Sequence, residues 1–132
     1  MSFKLSKRSL SHLEGVHPDL VSVIERAIEI TRIDFGVTEG VRTLERQKQL
    51  KADGKSTTLK SLHLPQIDGF SHAVDLYVLV EGKANWEHKY FRWAVQALAT
   101  AAIELDVQIR PGLLWRDFQD SPHVELNREY YL

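Results

Sequence analysis

The chain is expected to adopt an α+β fold, a small and mainly antiparallel sheet with flanking helices. Two long stretches carry apolar residues at helical spacing, a few short segments alternate or are β-branched, and no repeat, linker or low-complexity tract interrupts them. Strands that are separated by helices yet few in number favour that class.

The first helix is predicted from about Pro18 to Ile33. Pro18 suits the first helical position, Asp19 favours the positive end of the dipole, and Leu20, Ile24, Ala27, Ile28 and Thr31 recur at helical spacing. Phe35 to Val41 reads as a short strand. A second helix, Thr43 to Asp53, is polar on most faces and stops at Gly54. Lys55 to Ser71 is loop-like, rich in Ser, Thr, Gly and Pro. His72 to Val80 alternates as a strand, and Glu81-Gly82-Lys83 breaks it. The longest helix, Trp86 to Leu105, has a wide apolar stripe through Phe91, Ala94, Val95, Leu98, Ala101, Ala102 and Leu105. Val107 to Arg110 is a further expected strand, Pro111-Gly112 a turn, and His123 to Leu126 the last strand.

At 132 residues the chain is expected to be one domain, residues 1–132, with a core that needs no staples. A net charge of −1, with both signs spread along the chain, offers no footprint for nucleic acid or an anionic membrane. The basic cluster Lys4, Lys7 and Arg8 reads as a solvated face. The absence of cysteine excludes disulfides, thiolate metal sites and cysteine nucleophiles. MSFKLSKRSLSHLEG lacks the apolar run of a signal peptide, and no segment approaches a membrane span, so the expected location is the cytoplasm.

Two histidines and two aspartates stand out, in Ser61-Leu62-His63, Ala73-Val74-Asp75 and Asp120-Ser121-Pro122-His123. They offer three metal ligands of the types zinc prefers and one spare carboxylate. A catalytic zinc site needs three protein ligands, an open position and a base. Spacing alone is weak, because the twelve residues from His63 to Asp75 make no short metal motif. Asp75 inside a strand wants a partner or a metal; a salt bridge to Arg42 or Lys60 is its competing explanation. Arg42 could pair with Glu39 or Glu45, and Asp120 could simply begin the Asp-Ser-Pro turn.

SLHLPQIDGFSHAVDL and DSPHVEL resemble the two halves of the zinc signature of the D-alanyl-D-alanine carboxypeptidase/L-alanyl-D-glutamate endopeptidase family, S-x-H…A-x-D and then D-x-x-H. EGVRTLERQKQLKADGKST is similar to that family's arginine-threonine segment and following helix. GVHPDLVSVIERAIEITRIDFGV resembles its phage endolysin branch, so the likeness runs from Leu13 to about Leu126. The interval between His63 and Asp75 is longer than in compact members, as in endolysin-like members with an HLPQ loop. His72, three residues before Asp75, falls on the opposite face of a strand.

The resemblance implies a hedgehog/DD-peptidase-like zinc peptidase fold with one zinc ion per chain. It makes His63, Asp75 and His123 the zinc ligands and Asp120 the catalytic base. Arg42 and Ser61 would contact substrate, or in the case of Ser61 orient the loop, and Gln47 would touch substrate or support those that do. The implied activity is cleavage of the peptidoglycan stem peptide at the L-alanyl–D-glutamate bond by a monomeric endolysin without a separate wall-binding domain. Its release would need a membrane-permeabilising, holin-type partner. The alternatives are a D-alanyl-D-alanine carboxypeptidase or dipeptidase on the same fold, and an inactive module that only binds wall peptides.

Overall fold

The structure, a computed structural model, describes residues 3–56, 58, 60–114 and 122–131. In chain order these form α1 (Lys7–His12), α2 (Pro18–Ile30), β1 (Asp34–Glu39), α3 (Leu44–Ala52), β2 (Ala73–Val80), β3 (Lys83–Asn85), α4 (His88–Leu105), β4 (Ile109–Pro111), a 3-10 turn at Gly112–Leu114, and β5 (His123–Leu126). The expected α+β class holds. All pairings between these strands are antiparallel, in the order β1-β2-β5-β4, with β3 added to β2. Among the described residues no helix is long and apolar enough to cross a membrane.

Period-two alternation in β2 organises the molecule. Val74, Leu76 and Val78 are fully buried, whereas Asp75 and Tyr77 between them are only partly covered and lie on the opposite face. Across the sheet Asp75 is in register with His123, so β5 turns Val124 and Leu126 into the core and leaves His123 and Glu125 beside Asp75. On its other edge β2 pairs with β1, where a register irregularity between Val37 and Glu39 sets Glu39 opposite Asp75. Helices α2 and α4 pack together, and their buried residues, Leu20, Ile24, Ala94 and Leu98 among them, join the sheet's inner face in one core.

Local chemistry explains where elements begin and end. Helix α2 stops three residues before the expected Ile33, because the Thr31 hydroxyl donates to Ile33 O at 2.7 Å and accepts from Ile33 N at 3.1 Å, replacing helical hydrogen bonds with a turn. Thr43 caps α3 by accepting from Arg46 N at 3.1 Å. Two elements escape the sequence reading. The break at Glu81-Gly82 is a two-residue hairpin turn, both residues at positive φ, that returns the chain as β3. The N-terminal basic segment contains α1, capped by Ser6. From it Ser9 Oγ accepts Val37 N at 3.0 Å, satisfying a backbone donor on the outer edge of β1.

Candidate metal centre

His63 comes from the loop between α3 and β2, and backbone hydrogen bonds pin that loop at both ends. Arg42 N donates to His63 O at 2.9 Å and His72 N to Leu62 O at 2.8 Å, while Ser71 pairs with Gly15 and His17. The closest constraint is at Gly40. A Cβ there would lie 2.0 Å from His12 O and 2.8 Å from a Val16 methyl, so only glycine fits. The carbonyl of Gly40, so placed, accepts the Nδ1 hydrogen of His63 at 2.9 Å.

That bond assigns the tautomer: with hydrogen on Nδ1, His63 presents the lone pair of Nε2, 3.3 Å from Asp75 Oδ1. His123 has the reverse arrangement. Its Nε2 donates to Glu125 Oε1 at 2.8 Å, leaving Nδ1 at 3.3 Å from the same Asp75 oxygen. Three ligand atoms therefore converge within 4.8 Å of one another. Each histidine has its other nitrogen held by an oxygen acceptor, the arrangement that orients imidazoles on a metal. The donor set, two neutral imidazoles and a carboxylate, fits a divalent ion of zinc's preferences.

Electrostatics agree with that reading. Burial works against the charge on Asp75, but the neighbouring His123 and His63 side chains outweigh it and hold the carboxyl far below the usual range. Burial likewise opposes charge on His123, and its bonds to Asp75 and Glu125 override it, raising the imidazole to about 9. Both histidines gather around carboxylates that a cation would satisfy equally well.

The flanking residues divide sharply. Arg42 is held from all sides: Nε bonds Glu39, Nη1 donates to Gln47 Oε1 at 2.8 Å and approaches Ser61 Oγ at 3.5 Å, and Nη2 lies 3.6 Å from Asp75 Oδ2. Ser61 Oγ also accepts His63 N at 3.1 Å, so this serine ties the arginine to the ligand loop. Gln47 is 0% exposed and is not among the residues that line the cleft. Asp120 and Trp115 lie outside the described residues. Glu125 went unremarked in the sequence, although its place two residues after His123 in a strand puts both on one face.

A second trio, His17, Asp68 and His72, also brings three ligand atoms within 4.8 Å. Its chemistry is different. His17 Nδ1 accepts from Asp19 N at 3.0 Å as the cap of α2, so a neutral ring carries its hydrogen on Nε2, the atom that faces Asp68 at 3.8 Å. No lone pair is left there for a metal. His72 Nε2 bonds Asp68 Oδ2 at 2.7 Å and so belongs to this cluster rather than to the one around Asp75. The cluster fastens the loop that carries His63 to the start of α2.

A His–Asp–His set at one end of an antiparallel sheet, opening on a cleft lined also by Arg42 and Ser61, is the arrangement that a small α+β hydrolase with a metal centre would use. Comparison with known proteins narrows the class. Residues 1–131 match the profile of the phage L-alanyl-D-glutamate peptidase family. The chain is 34% identical over 132 residues to the L-alanyl-D-glutamate peptidase of Escherichia phage T5, covering 99% of this chain and 94% of that one. The crystal structure of the Serratia marcescens L-Ala D-Glu endopeptidase ChiX superposes with a TM-score of 0.87 at 36% identity, over 96% of this chain and 93% of that one. The protein belongs to the phage L-alanyl-D-glutamate peptidase family.

Proposed function

We propose that the chain is a zinc-dependent peptidoglycan hydrolase that cuts the stem peptide between L-alanine and D-glutamate. The observation that carries this reading is the complementary seating of the two imidazoles. Gly40 O engages Nδ1 of His63 and Glu125 engages Nε2 of His123, so the other nitrogen of each ring faces Asp75 Oδ1, where a metal can displace hydrogen. Names of the relatives supply the bond; the ligand chemistry supplies zinc.

His63, Asp75 and His123 would hold the zinc ion, which would supply Lewis acidity toward the scissile carbonyl and toward water near neutral pH. Asp120, three residues before His123, takes the proton of the attacking water and returns it to the leaving amine. Arg42 keeps Oδ2 of Asp75 engaged and places positive charge in the cleft, where it would favour the carbonyl oxygen as it becomes an oxyanion. Ser61 holds both Arg42 and the backbone of His63 in register. Access to the wall from the cytoplasm requires a membrane-permeabilising partner.

The test is mass spectrometry of diaminopimelate-type peptidoglycan digested with zinc-loaded protein, chelated protein and Asp120→Ala. Fragments split between L-alanine and D-glutamate, lost on chelation, restored by zinc and absent with the variant, are expected. Release of terminal D-alanine alone would replace this reading with a carboxypeptidase, and an intact polymer with fully loaded protein would replace it with a binding module.

A further inference from the structure

We propose that Arg46, Lys55 and Lys60, on the cleft wall formed by α3 and the segment after it, recognise the free carboxylate of the substrate's D-glutamate, and that Arg42 does not. This rests on the bond assignment above and concerns what selects the substrate at the same centre.

Among the described residues the charges in the cleft do not balance. Its carboxylates are already matched from within: Glu39 by Arg42, Asp75 by the two histidines and Arg42, and Glu125 by His123 with Arg110 at 3.6 Å. Arg46, Lys55 and Lys60 line the same cleft, are exposed, and have no ion pair among the described residues. A chain of net charge −1 thus presents, among its described residues, unmatched cations in the cleft of its candidate metal ligands. Such a concentration of one sign attracts and orients an anion.

Arg42, which the family resemblance sets in contact with substrate, is not free to take up that carboxylate. Its side chain is only 10% exposed, and Glu39, Gln47 and Asp75 occupy the three nitrogens. Drawing it away would leave buried Gln47 and half-buried Glu39 without their partner, which costs more than a new exposed pair returns.

The wall is built to hold its cations in place. Buried Gln47 donates through Nε2 to Ser56 Oγ at 2.8 Å and to Thr58 O at 2.5 Å, pulling the segment after α3 against the helix that bears Arg46. Lys55 N and Ser56 N both donate to Leu50 O, and Lys60 N donates to Thr58 Oγ1 at 2.9 Å. One buried amide therefore anchors Arg42 on one side and the cationic wall on the other.

The substrate provides what this wall fits. Whichever of its carboxyls joins glutamate to the next residue, the other remains an anion a few bonds from the scissile nitrogen. Neutral amides and apolar side chains would gain nothing from three unpaired cations.

The experiment compares two stem peptides, one with the D-glutamate carboxylate free and one with it amidated, on zinc-loaded wild type and on the combined Arg46→Gln, Lys55→Gln, Lys60→Gln variant. Circular dichroism and zinc content check that the variant is folded and loaded. Wild type should favour the free carboxylate by about tenfold or more in kcat/KM, the scale of a charge-assisted contact. The variant should lose that preference through KM, with kcat within about twofold, and Lys60→Arg should keep it. An equal loss on both peptides, or a preference that survives in the variant, overturns the subsite while leaving the peptidase reading intact. Wild type that cuts neither peptide overturns both.

Discussion

His123 stands between two carboxylates, and its position makes the centre sensitive to protons. Without metal its imidazole is raised to about 9, burial opposing the charge and Asp75 and Glu125 prevailing. A raised folded-state value means that this interaction stabilises the metal-free protein fully below the unfolded value near 6.5 and is lost as pH rises through about 9. A metal competes for the same site on Nδ1. Zinc affinity, measured by chelator competition, should therefore climb with pH by up to about tenfold per unit until pH about 9. Glu125→Ala should weaken zinc by about 10–100-fold and flatten that climb, because it removes both the orienting acceptor and one cause of the raised value. A pH-independent affinity would show that Nδ1 is not the ligand atom.

At the scale of elements, the decisive contact is the crossing of α1 over the end of β1. Gly40 touches His12 O and Val16 closely enough that a methyl group cannot enter, and its carbonyl sets the His63 ring. Gly40→Ala is expected to destabilise the fold by about 1–3 kcal/mol, as overpacking does, in denaturant titration. It should also weaken zinc binding, since relief of the clash displaces the acceptor on Nδ1. An unchanged zinc affinity in a destabilised variant would separate the two roles and remove Gly40 from the centre. Much of this level was legible in advance: β2 and β5 from alternation, α2 from its proline and apolar spacing. α1 and β3 were not, because a six-residue helix with one apolar side chain and a three-residue strand acquire their conformation from what they pack or pair with.

For the whole molecule, the metal centre lies on one face of the sheet and the apolar core on the other, so the core does not depend on the ion. A single core through α2, α4 and the inner sheet face is large enough to fold without it. Chelation should abolish hydrolysis yet leave the far-UV circular dichroism spectrum and a cooperative thermal transition, with Tm lowered only by the lost binding linkage. Unfolding on chelation at 25 °C would instead make the ion structural.

By itself the sequence determined the chemistry on offer: the types and order of His63, Asp75, Asp120 and His123, the absence of thiols, and the strand periodicity that puts Asp75 and His123 on opposite faces from their apolar neighbours. These are local properties, written in residue type and spacing. Tertiary structure decided which nitrogen of each histidine faces Asp75, that Arg42 is bound to Glu39 and Gln47, that Gln47 is buried, and that three cations on the cleft wall have no ion pair among the described residues. Tautomer, burial and charge balance all depend on partners many residues away, and only the folded chain brings those within hydrogen-bonding distance.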